Sequence, residues 1–132
     1  MDNKKKLDLF ENKFRDKNPA VIIAAIKTLR DESHFPGALR LLAELFDRSD
    51  NQLVINTISA FFNDLKEPHT RGEVVSELLK PYKQETIQML ASSCWQSGLD
   101  FSDYVPQFAS LFVRSTYPVA LKCFYHHEES TQ

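Results

Sequence analysis

The stretch NPAVIIAAIKTLRDESHFPGALRLLAELFDRSD, residues 18–50, decides the fold, because the chain runs through the same pattern again without a gap. Residues 51–83 read NQLVINTISAFFNDLKEPHTRGEVVSELLKPYK, and residues 84–116 read QETIQMLASSCWQSGLDFSDYVPQFASLFVRST. At an offset of 33, Val21, Val54, Ile87 and Ala120 share one column, Ala25, Ile58, Ala91 and Phe124 a second, and Leu29, Phe62 and Trp95 a third. Half a unit later come Leu42, Val75 and Phe108, then Leu45, Leu78 and Leu111, then Phe46, Leu79 and Phe112. A small residue recurs at Ala43, Ser76 and Ala109. A fixed period of about 20–50 residues marks a repeat architecture, in which each unit needs its neighbours to bury its apolar face.

Each unit predicts two helices. Val21, Ile22, Ala25, Thr28 and Leu29 carry the i, i+1, i+4, i+7, i+8 stripe of an amphipathic helix, matched by Val54, Ile55, Ile58, Phe61 and Phe62 and by Ile87, Gln88, Ala91, Cys94 and Trp95. In the second helix the stripe is i, i+3, i+4, at Leu42, Leu45, Phe46 and their equivalents. The punctuation agrees. Asn18-Pro19 is an N-cap followed by proline at the first helical position, where the missing N–H costs nothing. Thr70-Arg71-Gly72-Glu73 fits a capping box. Pro36 marks a helix start, Asp103 a cap before Pro106, and Pro81 a helix stop.

Ahead of the repeats, Leu7, Phe10 and Phe14 are spaced i, i+3, i+7 on a helix. Unit one carries apolar Ile23 and Ile26 where later units have Asn56, Ser59, Met89 and Ser92, a surplus that a capping helix would cover. The expected organisation is one repeat domain over residues 1–132: a cap helix in 1–17, repeats at 18–50, 51–83 and 84–116, then a closing helix and polar tail in 117–132.

This pattern resembles the HEAT-like and armadillo-like families of α-helical repeats over residues 18–125, through the helix-pair period, the small residue in each second helix and the Asn-Pro entry. It departs from the commonest family pattern, an Arg or Lys after the Asp between repeats. Asp47-Arg48 and Val113-Arg114 keep an Arg nearby, whereas unit two has Lys80-Pro81. The period is also shorter than the roughly 40–47 residues usual there, while the aromatic and Gly-Tyr signature of the tetratricopeptide rival is missing. The resemblance implies an all-α, right-handed α-α superhelix, or solenoid, of about eight helices, with the second helices lining its concave face.

Composition frames the function. The 132 residues are 42% hydrophobic and 26% charged with a formal net charge of −2, values of a globular chain and not of a disordered tail. Apolar runs such as Ala20 to Ile26 are far too short to cross a bilayer, and no apolar signal segment follows Met1. Two cysteines, Cys94 and Cys123, are too few for a secreted disulfide scaffold, so the expected compartment is cytoplasmic with both thiols reduced. Three glycines leave little room for phosphate loops or dinucleotide fingerprints.

No catalytic residue, metal ligand or cofactor is assigned. His126 and His127 are adjacent and would point about 100° apart on a helix, which suits a solvated tail better than a chelate. His34 and His69 fall in equivalent turns, with Asp100 or Asp103 continuing that line, and read as exposed turn polarity. Cys94 and Trp95 read as core residues. Lys4-Lys5-Lys6, the one dense basic cluster, is followed by Asp8 and Glu11 and reads as a solvated helix start rather than a phosphate-binding groove.

The expected function is a non-enzymatic protein–protein interaction scaffold, monomeric or weakly self-associating end to end. The alternatives are a nucleic-acid-binding repair-type module and a HEAT-like lyase or enzyme subunit. Helical-wheel geometry places the expected partner-binding strip opposite the apolar stripe of the second helices, at Arg40, Glu44 and Asp47, then Glu73, Glu77 and Lys80, then Pro106, Ser110 and Val113, with Arg114 beside them. Its acidic middle suits a basic partner segment.

Overall fold

The computed structural model describes residues 2–114, and of residues 111–114 it gives the helical backbone alone. Among the described residues the protein is all-α, with seven α-helices and no strand: α1 (Asn3–Phe14), α2 (Pro19–Asp31), α3 (Ala38–Arg48), α4 (Gln52–Asn63), α5 (Arg71–Leu78), α6 (Gln84–Gln96) and α7 (Val105–Arg114). Short 3-10 turns at Pro68–Thr70 and Ser102–Tyr104 lead into α5 and α7. The expected closing helix in 117–132, with Cys123, His126 and His127, lies outside the described residues, as do the side chains of Leu111 and Phe112.

The chain divides into two compact units, Met1–Phe61 and Phe62–Gln132. In the first, α1 packs against α2 and α3. Phe10 and Phe14 are buried on its inner face, and Phe10 stacks on Phe35 at 6.2 Å between ring centroids. Ile26, the surplus apolar residue of the first repeat, is 1% exposed. Helix α3 buries Ala38, Leu39, Leu41, Leu42, Ala43, Leu45 and Phe46, most of its circumference, leaving Arg40, Glu44, Asp47 and Arg48 toward water.

In the second unit, α5 packs against α6, and Val74, Val75, Leu78, Leu90 and Cys94 are buried. Phe101 meets Phe108 edge to face at 6.1 Å. Arg71 clamps the turns, donating from Nε to the Pro68 carbonyl at 2.8 Å and from Nη1 to the Asp100 carbonyl at 2.6 Å.

The turns satisfy their backbone donors with short side chains. Asn18 Oδ1 accepts from Ala20 N at 3.0 Å, and Asp16 Oδ1 from Asn18 N at 2.8 Å. Asn51 Oδ1 takes the N–H groups of Leu53 and Val54, so an asparagine caps α4 as another caps α2. The capping box expected at Thr70 does not form. Pro68 starts a 3-10 turn, Thr70 is itself helical, and its hydroxyl donates back to the Glu67 carbonyl at 2.7 Å. Asp103 is not a cap either, since it lies inside the turn Ser102–Tyr104, while Asp100 Oδ1 accepts from Ser102 N.

The repeat columns hold where they were deepest. Ala25, Ile58 and Ala91 are all buried, as are Leu42, Val75 and Phe108. The outer columns deviate. Trp95 is 49% exposed, against 3% for Leu29 and 0% for Phe62. The buried arc of α6 runs through Ile87, Leu90 and Cys94, and Trp95 lies about 100° round from Cys94, beyond its edge. Val21 is exposed in the first turn of α2. Of the small-residue column only Ala43 is buried, whereas Ser76 and Ala109 face water.

Gly37 begins α3 with φ +96°, and a Cβ on it would lie 2.7 Å from Leu7 Cδ2. Gly98 has φ +74° with open space around it. A side chain in this left-handed region costs roughly 1–2 kcal/mol. Gly98→Ala should therefore lower stability by about that much, and Gly37→Ala by more. Urea midpoints in a Leu7→Ala background should show the Gly37→Ala cost falling toward that of Gly98→Ala.

Candidate functional site

The strip expected on the second helices is not a uniform solvent face. On α3, Arg40 Nη1 and Glu44 Oε1 pair at 3.1 Å across one helical turn, both side chains about 40% exposed, with Asp47 half-buried a turn further on. In the second unit Glu73 and Lys80 are half-buried, and Glu77 is only 4% exposed. Pro106 and Ser110 are exposed on α7, while the side chains of Val113 and Arg114 lie outside the described residues.

Glu77 corrects the expectation of a free acidic centre. It sits in the last turn of α5, where Pro81 turns the chain back on itself. The Tyr82 hydroxyl then donates to Glu77 Oε1 at 2.6 Å, and Lys80 Nζ lies 2.7 Å from Oε2. Both carboxylate oxygens are occupied within the fold. A buried charge is tolerated only when paired and hydrogen-bonded, and this one is. Wheel position could not foresee it, because the partners come from the turn beyond the helix end.

Of the other singled-out residues, Trp95 departs from its core reading and His34 from its reading as exposed turn polarity. His69 is exposed and pairs with Glu67 at 3.0 Å, and His34 is half-buried. Lys6 reaches Glu32 Oε2 at 3.4 Å and lies 5.5 Å from the Phe35 ring centroid, while Lys4 and Lys5 are exposed. Cys94 is a buried free thiol whose Sγ is 3.5 Å from the Leu90 carbonyl. Among the described residues no three His, Cys, Asp or Glu side chains gather as a metal site, and no helix is long and apolar enough to cross a membrane.

A different surface forms on the first helices. In the first unit a cleft of about 300 Å³ opens between α2 and α4, lined by Ile26, Lys27 and Arg30 from α2 and by Asn56, Thr57, Ala60 and Phe61 from α4. Ile26 is its buried floor, Phe61 is half-buried, and Lys27, Arg30, Asn56 and Ala60 are exposed. The spacing explains the opening, since residues 56, 57 and 60 present an amide, a hydroxyl and a methyl where bulkier side chains would close the gap. Comparison with protein-family models, with curated proteins and with solved structures finds no match. The cleft is therefore read from its own chemistry.

That chemistry is one of donors. Lys27 and Arg30 can only donate. Asn56 Oδ1 accepts from Gln52 Nε2 at 2.8 Å. The Thr57 hydroxyl proton goes to the Leu53 carbonyl at 2.7 Å. No carboxylate lines the cleft. The 33-residue period does not mark these residues, because a cleft between two helices leaves no periodic trace in either one. The available signal was a pair of cations one turn apart on α2, above polar residues at 56 and 57.

The Glu77 cluster gives a clean stability test. Tyr82→Phe removes a hydrogen bond to a buried charge and should cost about 1.5–3 kcal/mol. Glu77→Lys, which also sets like charge against Lys80, should cost about 3–5 kcal/mol, the range for breaking a buried pair. Both should appear as lowered urea midpoints. A Glu77→Lys protein as stable as the parent would show the carboxylate to be unburied.

Proposed function

We propose that this chain is a non-enzymatic protein-binding module built as a HEAT-like solenoid, a right-handed stack of helix pairs whose surfaces hold a partner. The 33-residue columns support the repeat reading, since Ala25, Ile58 and Ala91 and the set Leu42, Val75 and Phe108 are each buried throughout. The observation that carries the binding reading is the α2–α4 cleft, where exposed donors surround the apolar floor of Ile26 and half-buried Phe61. A few oriented polar groups around an apolar base is the usual make-up of a recognition site.

The form of the reading with a basic partner segment on the second-helix strip loses its main support. Glu77 is committed to Tyr82 and Lys80, and Glu44 to Arg40. What remains is a protein partner on helix surfaces, with no step of chemistry required of this chain.

The experiment is affinity capture of the tagged full chain from its source cell, with and without nuclease, followed by titration calorimetry with the purified partner. A protein should be retained after nuclease treatment and bind directly at a fixed stoichiometry. Retention that vanishes with nuclease, or a captured protein that shows no direct binding heat or anisotropy change when purified, would overturn the reading.

A further inference from the structure

We propose that the exposed indole of Trp95, with the turn that joins α6 to α7, docks a basic protein segment whose Lys or Arg side chain seats on the ring; this rests on reading the chain as a protein-binding module and not on the α2–α4 cleft. Trp95 lies in the last turn of α6 and is 49% exposed, where its column partners Leu29 and Phe62 are 3% and 0%. Gln88 and Ser92, seven and three residues earlier, share its face of the helix and bear no charge. Gly98 donates its N–H to the Trp95 carbonyl at 3.3 Å, and a Cβ on it would meet nothing within 4 Å, so the turn that follows the indole is uncrowded there. Tryptophan is enriched among the residues that carry binding energy, and charge is depleted at the centre of protein interfaces.

The charge of the partner follows from the sequence around the ring. Between Lys83 and Arg114 there is no Lys, Arg or His, and the formal charges are Glu85, Asp100 and Asp103, all exposed. Residues 97–104 alone join α6 to α7, which puts Trp95, Asp103 and Val105 at one end of the helix pair. Arg71 of α5 reaches the Asp100 carbonyl and brings a positive charge beside that residue, which leaves the acid character to Asp103 and, at the start of α6, Glu85. A cation over an indole face is attracted by the ring quadrupole, more strongly than over Tyr or Phe. An acidic border favours the same ligand. Val105, 43% exposed in the first turn of α7, adds an apolar contact. A nucleic-acid strand could stack on the indole, but it meets carboxylates where its phosphates need cations. A basic peptide with an apolar residue beside its cation uses every one of these features.

The test is selection from a random-peptide display library on the full chain. Enriched sequences without tryptophan are remade as labelled synthetic peptides and measured by anisotropy and by the emission of Trp95, the single tryptophan of the chain. The enriched peptides should share Lys or Arg beside a large apolar residue, and titrating them should change the Trp95 emission. Trp95→Ala should weaken them on the order of tenfold, and Trp95→Phe by less. Asp103→Lys should weaken them as well, and peptides with Glu in place of the cation should regain affinity for that variant. Lys27→Glu on α2 should leave them unchanged. Melting curves establish that each variant is folded, and Asp103→Lys, at an exposed turn position, keeps the test decisive if Trp95→Ala unfolds. Enriched peptides that leave the Trp95 emission unchanged and bind Trp95→Phe and Asp103→Lys as tightly as the parent overturn this surface while leaving a protein-binding module. Enriched peptides that are acidic overturn the charge assignment. Absence of any enriched peptide overturns both this proposal and the binding function. A single-stranded oligonucleotide, titrated in parallel, overturns the proposal in favour of nucleic acid if it alone changes the Trp95 emission.

Discussion

Helices of 8–13 residues are marginal in water by themselves, and every helix described here falls in that range. Each must therefore bury one face against another, and that need governs the rest of the structure. It explains why Ala25, Ile58 and Ala91, and likewise Leu42, Val75 and Phe108, are all shut away, since exposing one would remove a helix's contacts and with them its reason to be helical. It explains α1 as well, whose Phe10 and Phe14 are buried as the helix packs against α2 and α3. Polar work is left to the residues outside those columns.

Much of this was legible in the sequence, and the reason is periodicity. A core position is fixed by its spacing from others of its kind, so Ile58, Leu78 and Phe108 declare themselves without any knowledge of neighbours. Asn18-Pro19 was equally legible, because its cap is a local hydrogen bond between residues two apart. Trp95 and Glu77 were not. The first depends on how far the buried arc of α6 rotates, which the packing partner sets. The second depends on Tyr82, five residues on and past the helix end. Thr70 failed for a related reason, as Pro68 two residues earlier had already started a tighter helix.

The candidate site was the least legible part. Lys27, Arg30, Asn56 and Thr57 are individually ordinary exposed or half-buried helix residues, and wheel geometry assigns them only to the outside of their own helix. A cleft is a property of two helices at once, made here by small and short side chains at 56, 57 and 60. The strip on the second helices was the mirror case. Its residues are correctly placed on their wheels, yet the acids at its centre answer to cations and a phenol inside the protein.

The asparagine caps carry a consequence for the chemical lifetime of the fold. Asparagine ages chiefly by cyclising onto the backbone nitrogen of the next residue, which ends as an aspartate or isoaspartate. Asn18 precedes Pro19, whose ring nitrogen carries no hydrogen, so the succinimide cannot close and the cap of α2 is protected by covalent structure. Asn51 precedes Gln52 and has no such protection. Its side chain is instead held by Leu53 and Val54, which keeps the amide occupied while the helix stands. Of the two asparagine caps in the first unit, one is durable in folded and unfolded chain alike. The other is durable only for as long as α4 remains wound.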